Sequence, residues 1–300
     1  MRYIIGYDIG GTKCAVSVGK VEEKKITILD RYEVKTTRSP EETLVALEGE
    51  TRRFCEKYAV SSIGISCGGP LDSKKGQLYK VANLPGWENF KIVEYLEEKF
   101  GIKAYLQNDA NACALVEWKF GAGRGTKNMV FITMGTGLGA GLIIDGKLYS
   151  GTNDNAGEVG HIRLADDGPI GFGKVGSFEG FCSGGGIARL AESMGAEKGI
   201  TAKRLAENAR KGDELAKRVF EKSGEMLGKG LSVLIDILNP EMIVIGGVFM
   251  RSGDLLIPSM ERVLKEESLS FSLGVCEIIP AKLYENVGDY AAVSVGLRRS

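Results

Sequence analysis

Apolar positions along the chain fall first into short runs and only later into helical spacing. Runs at 3–9, 14–19 and 26–34 are rich in Val, Ile and Tyr and are separated by Gly or charged breaks, as strands joined by turns are. From Pro40 to about Tyr58, Leu44, Leu47 and Phe54 recur on one face, which predicts a helix opened by proline in its first turn. "SIGISCGGP" reads as a strand stopped by Gly68, Gly69 and Pro70. A helix over 90–100, a strand over 103–107 and a helix over 110–120 follow. Strands first, then strands alternating with helices, predict an α/β arrangement with a mixed sheet.

At residue 128 the pattern restarts. "NMVFITMGTGLGAGLIIDGKLYSG" repeats the opening layout of apolar strand, Gly/Thr turn and second apolar strand, and it sets Gly10-Gly11-Thr12 against Gly135-Thr136-Gly137. Two halves on one plan are expected. The boundary falls at "GAGRGT", 121–126, giving lobes over 1–120 and 121–284. A long helical region over 202–238 leads into "EMIVIGGVF", a strand ending in Gly246-Gly247, and 285–300 reads as a helix able to pack back on the first lobe.

Composition excludes several classes of partner. With 300 residues, 43% of them hydrophobic, the chain can bury one large core or two medium ones. Lys plus Arg and Asp plus Glu both number 39, so no excess charge recommends nucleic acid or an anionic membrane. The six cysteines form no C-x-x-C pair and read as reduced thiols, consistent with a cytoplasmic protein. No run reaches the ~20 apolar residues of a membrane span, and Asp8 and Lys13 break the first apolar stretch too early for a secretory signal.

Candidate chemistry lies in the polar breaks. Glycines at the tip of a strand–turn–strand leave N–H groups free and let a phosphate approach, although a single such turn can equally be a plain tight hairpin. "GTGLGA", 135–140, fits a dinucleotide fingerprint but runs into a strand rather than a helix, and "GPIGFGKV", 168–175, lacks the P-loop hydroxyl at Val175. Both are set aside. Asp109 in "QNDANA" can be a helix N-cap or a general base. "NAGEVGH" places Glu158 three residues before His161, the chain's single histidine, which can be structural or a ligand.

Taken together, D-I-G-G-T at 8–12, C-G-G-P at 67–70, N-L-P-G-W at 83–87, N-D-A-N-A at 108–112, M-G-T-G-L-G at 134–139, G-E-V-G-H at 157–161 and I-G-G-V at 245–248 resemble the ROK family of sugar kinases and sugar-responsive repressors. The resemblance implies a duplicated actin-like ATPase fold of the ribonuclease H-like kind, two lobes with ATP and sugar meeting in a central cleft. It implies Asp109 as the base that takes the proton of the attacking sugar hydroxyl. It also implies Asn83, Asn108, Glu158, His161 and Glu179 on sugar hydroxyls, with Gly69 lining the pocket. Phosphates fall to Gly10, Gly11, Thr12, Lys13, Gly135, Thr136 and Gly137, the nucleoside to Gly246 and Gly247, and magnesium to Asp8 through water.

The expected activity is ATP-dependent phosphorylation of a hexose, glucose first, with N-acetylmannosamine, fructose, mannose or allose as alternatives. A homodimer is expected, without nucleic acid or membrane partners. A sugar-responsive regulator is the competing class; family repressors carry a DNA-binding segment before the first strand, whereas this sequence begins its first strand at Tyr3. Many family members hold a structural zinc with three cysteines. This chain has Ile170, Phe172 and Ser177 at those positions, so no zinc site is expected, and Ile170, Phe172, Phe178 and Phe181 are expected to hold the loop by apolar packing.

Overall fold

The first sheet grows from the opening strands in the order their apolar runs predict. In the computed structural model, which describes residues 1–283 and 287–297, β1 (Arg2–Ile9), β2 (Lys13–Val21) and β3 (Ile26–Lys35) form an antiparallel meander. Helix α1 (Pro40–Lys57) then crosses to β4 (Val60–Cys67), and after the short strands β5 (Leu71–Asp72) and β6 (Gln77–Leu78), α2 (Ile92–Phe100) leads to β7 (Ala104–Asn108) and α3 (Asp109–Phe120). Strands β4 and β7 add parallel to β1, so the sheet is mixed, in the order β3-β2-β1-β4-β7.

Helix α1 begins where the sequence says it should. Ser39 caps it by accepting from the Glu42 N–H, and Pro40 fills the first turn, where its missing donor costs nothing. Its inner face buries Leu44, Leu47 and Phe54 completely against Ile5, Tyr7 and Ile63 of the sheet. Each such side chain contributes about 1.5–3 kcal/mol of burial.

The second sheet repeats the plan. Strands β8 (Met129–Met134), β9 (Leu138–Ile144) and β10 (Lys147–Tyr149) open it, and after a single 3₁₀ turn (Val159–His161) the hairpin β11 (Ile170–Gly171) and β12 (Lys174–Val175) precedes α4 (Phe178–Cys182) and α5 (Gly184–Ser193). Then come α6 (Ala202–Arg210), α7 (Glu214–Leu238), β13 (Met242–Gly247), α8 (Val248–Glu267), α9 (Ser270–Leu273), β14 (Glu277–Pro280) and α10 (Val287–Val295). The order β10-β9-β8-β13-β14, with β9 antiparallel and β13 and β14 parallel, matches the first sheet strand for strand.

By contacts the chain divides into two units, one holding Met1–Gly125, Leu148–Ala156 and the described residues from Val287 on, the other Thr126–Lys147 and 157–283. The segment Leu148–Ala156, placed by the sequence reading in the second lobe, groups with the first unit, where the Asp154 carboxylate accepts from the Ser73 N–H (2.7 Å) and hydroxyl (3.0 Å). Of the expected C-terminal helix 285–300, residues 285, 286 and 298–300 lie outside the described residues. The long helical region expected over 202–238 is built as two helices: Gly212 adopts φ 99° and Asp213 caps α7 through the Ala216 N–H. The glycine supplies a backbone geometry that other residues avoid, and the aspartate supplies an acceptor for the new start.

Within the first unit, α10 lies directly on β1 and β4. Gly64 permits this approach, since a Cβ there would strike the Ala292 carbonyl and the Gly296 N–H. Gly64→Ala should therefore cost about 1–3 kcal/mol by overpacking. A urea midpoint equal to wild type would show that α10 is not seated as described.

Candidate functional site

In the first unit the candidate residues collect at the C-terminal ends of the parallel strands, the edge where open α/β sheets bind ligands. Asp8 ends β1, Gly69 follows β4, and Asn108 and Asp109 join β7 to α3. The helix cap is Asn108 rather than Asp109: its Oδ1 accepts from the N–H groups of Ala110 (3.0 Å) and Asn111 (3.4 Å). Asp109 is instead the first helical residue, exposed, with Oδ1 accepting from the Ala110 N–H at 2.7 Å. The Asn108 amide nitrogen faces Gly69, where a Cβ would stand 3.3 Å from it.

The β1–β2 turn is braced from β3. The Thr36 hydroxyl donates to the Gly10 carbonyl (2.6 Å) and the Thr36 N–H to that of Thr12 (3.0 Å), leaving Gly11, Thr12 and Lys13 exposed. Asn83, also exposed, backs onto this turn, because a Cβ on Gly11 would fall on its backbone carbonyl at 2.5 Å. Lys13 is engaged by Glu33 at 2.5 Å, so binding a phosphate requires its ammonium to exchange partners.

Charge is concentrated at this edge. Burial, then the negative charges of Asp289 and Asp109, push the Asp8 carboxyl up to about 6, against a smaller opposing pull from Arg31. Asp109 reaches solvent, yet the dense protein around it desolvates the carboxylate and raises its pKa, partly offset by the Ala110 N–H. Asp8 fits a hydrated divalent cation: it is a largely buried carboxylate among like charges, and magnesium is usually held by one or two carboxylates plus substrate phosphates. Among the described residues no group of three or more His, Cys, Asp or Glu side chains is arranged to hold a metal ion.

The second unit carries the other half of the candidate set. Glu179 Oε2 accepts from the Leu138 N–H at 3.1 Å, and a Cβ on Gly137 would stand 2.8 Å from it. The Glu158–His161 turn lies against the same side chain through Gly160, and Glu158 and His161 are both exposed. His161 meets Phe172 edge to face at 6.0 Å, and its carbonyl accepts from Lys174 Nζ at 2.7 Å.

The loop is held differently from the apolar packing expected. Phe178 and Phe181 are buried, but Ile170 and Phe172 stand 52% and 72% exposed, because they sit on a two-stranded hairpin with solvent on its outer side. Ser177 does the fastening. Buried, it caps α4 by accepting from the Gly180 N–H (3.1 Å) and lies 3.4 Å from the Gly171 carbonyl, to which its hydroxyl donates.

Gly135 and Thr136 line a cavity of ≈ 690 Å³, together with Gly184, Gly185, Lys203 and Arg251. That volume suits a ligand of nucleotide size. Gly137 turns instead toward Glu179, and Gly246 and Gly247, expected at the nucleoside, are not part of this lining: Gly246 packs on Phe131 and Gly247 lies against the Met134 carbonyl at φ 72°, while the next residue, Val248, does line the cavity. Gly184 and Gly185 escaped the sequence reading although a signal was present: "SGGG" at 183–186 is a serine cap before glycines, and the Gly186 N–H does bond to Ser183 Oγ at 2.9 Å. Such helix starts favour anions. Lys203 and Arg251 carried no local signal; α6 and α8 bring them in.

Two mixed sheets of one order, each with a glycine turn between its first antiparallel strands, define an actin-like ATPase fold. The chain belongs to the ROK family, whose model matches residues 4–295. It is 31% identical over 313 aligned positions to a glucokinase of Streptomyces coelicolor, covering 98% of each chain. Among solved structures it resembles a ROK hexokinase from Thermus thermophilus (28% identity, TM-score 0.83, 98% of this chain and 97% of that one). It also resembles a ROK glucokinase from Streptomyces griseus in complex with glucose and AMPPNP (29%, TM-score 0.80, 98% and 99%).

Two outcomes follow from this geometry. Ser177→Ala removes the α4 cap and should cost about 0.5–2 kcal/mol; an unchanged denaturation midpoint would show that Ser177 does not fasten the loop. Between pH 3.8 and about 6 the folded chain keeps a proton on Asp8 that the unfolded chain has lost, so this group's contribution to stability falls as pH rises through that window. Asp8→Asn should therefore exceed wild type in stability by roughly 1–3 kcal/mol at pH 7 and lose the advantage near pH 4. Urea titrations at the two pH values measure this, and a variant less stable than wild type at pH 7 would contradict it.

Proposed function

We propose that this protein transfers the γ-phosphate of ATP to a hexose, with glucose as substrate and glucose 6-phosphate as product. The observation that carries the reading is Asp109: an exposed carboxylate of raised pKa, fixed at the first turn of α3 beside Asn108 and Gly69. Similarity to glucokinases along nearly the whole chain supports it.

In this reading Asp109 accepts the proton as the sugar hydroxyl attacks the γ-phosphorus. The new O–P bond forms as the bond to the β-phosphate oxygen breaks, and ADP leaves. Phosphoryl transfer needs alignment and charge neutralisation more than covalent chemistry. The exposed turn at Gly11 and Thr12 and the turn at Gly135 and Thr136 would supply the alignment. Lys203 and Arg251 would add positive charge at the cavity. Magnesium, held at Asp8 through water, would supply neutralisation of the phosphate oxygens. Asn83, Asn108, Glu158, His161 and Glu179 would pair with the sugar hydroxyls, and a site built that way rejects sugars that leave its polar groups unpaired.

Incubating the chain with ATP, magnesium and a panel of hexoses, with ADP release as readout, tests the proposal. Glucose should be phosphorylated, and Asp109→Asn should lower turnover by about 10²–10⁴-fold while glucose still binds. Activity on N-acetylmannosamine, fructose, mannose or allose with none on glucose would replace the substrate. Silence on every sugar would remove the kinase reading.

A further inference from the structure

Asp289 is a buried carboxylate that the mechanism above leaves unused. It sits in the first turn of α10, 4% exposed, next to Gly288, whose position is so close to Asp8 that a Cβ there would fall on the Asp8 carboxylate. Its Oδ2 accepts from Arg31 Nε at 2.9 Å. Its Oδ1 is buried with no hydrogen-bond partner among the described residues. Buried carboxylate oxygens are seldom left without a donor, because the unmet acceptor costs free energy.

Arg31 cannot fully compensate this carboxylate. Its Nη1 holds Glu33 Oε2 at 2.8 Å, and Glu33 Oε1 holds Lys13 at 2.5 Å, so one guanidinium serves two carboxylates. The Asp8 carboxylate feels the charge of Asp289 more than any other. Two neighbouring carboxylates, one with a buried oxygen that lacks a donor, suit a hydrated magnesium ion, since it keeps several waters and takes few protein oxygens.

Resting on the kinase reading, we propose that Asp289 is a second carboxylate of the cation site at Asp8, its Oδ1 accepting a hydrogen bond from the hydration shell of the magnesium that accompanies ATP. Asp289 then acts on the ion without replacing its waters. Gly288 sets its distance from Asp8.

Manganese, read by its paramagnetic resonance, is titrated into the full chain with stoichiometric AMPPNP. Asp289→Asn should weaken manganese binding by roughly 10–100-fold, the loss typical of outer-shell partners. Arg31→Gln, which breaks the same ion pair but keeps the carboxylate, should bind manganese near the wild-type affinity. Asp289→Ser is read in the same way and carries the test if the asparagine variant does not fold. Wild-type affinity in the Asp289 variants would overturn the proposal, and so would an equal loss in Arg31→Gln, since both outcomes leave Asp289 as an anchor for α10. Failure of the wild-type chain to bind manganese with AMPPNP would remove the kinase reading itself.

Discussion

Like charges held close together at one edge of the first sheet are the constraint on which the rest of the first unit turns. Asp8, Asp109 and Asp289 come from β1, the β7–α3 junction and α10, and the first feels both others. Burying ionised carboxylates is costly, and a fold selected for stability alone would place apolar side chains there. Strain of this kind concentrates at sites that must handle charge. The surrounding architecture limits it: Arg31 reaches from β3 to Asp289, the Ala110 N–H supports Asp109, and Thr36 fixes the turn beside Asp8.

The second unit reuses the same strand order for different ends. Its glycine turn divides its duties, with Gly135 and Thr136 facing the cavity and Gly137 facing Glu179. Glu179 thereby couples the turn to the loop that carries His161. A serine cap and a hairpin hold that loop. The result keeps Phe181 and Phe178 inside and leaves Phe172 against the imidazole of His161.

Much of this was legible in the residues because it rests on local rules. Strands announced themselves by apolar runs, α1 by proline and a one-sided stripe, and the duplication by a repeated turn. What was not legible depended on long-range choice. Propensity could not say whether Asn108 or Asp109 would cap α3, since both residue types serve; register with β4 put Asn108 at the end of β7 and settled it. The break at Gly212 was hidden because 202–238 keeps a helical apolar pattern on both sides of it. Ile170 and Phe172 looked like core residues by composition, but a two-residue turn with positive φ at Phe172 and Gly173 puts the hairpin tip in solvent. Asp289 gave no signal at all, because its partners Arg31 and Asp8 lie more than two hundred residues earlier in the chain.

The charged edge can be measured directly by following the side-chain carboxyl carbons of labelled aspartate by NMR across pH, first without ligand and then with magnesium and AMPPNP. The account predicts that Asp8 titrates near 6 without ligand and moves down when cation and nucleotide arrive to offset its neighbours. An Asp8 that titrates near 3.8 and ignores the ligands would contradict it.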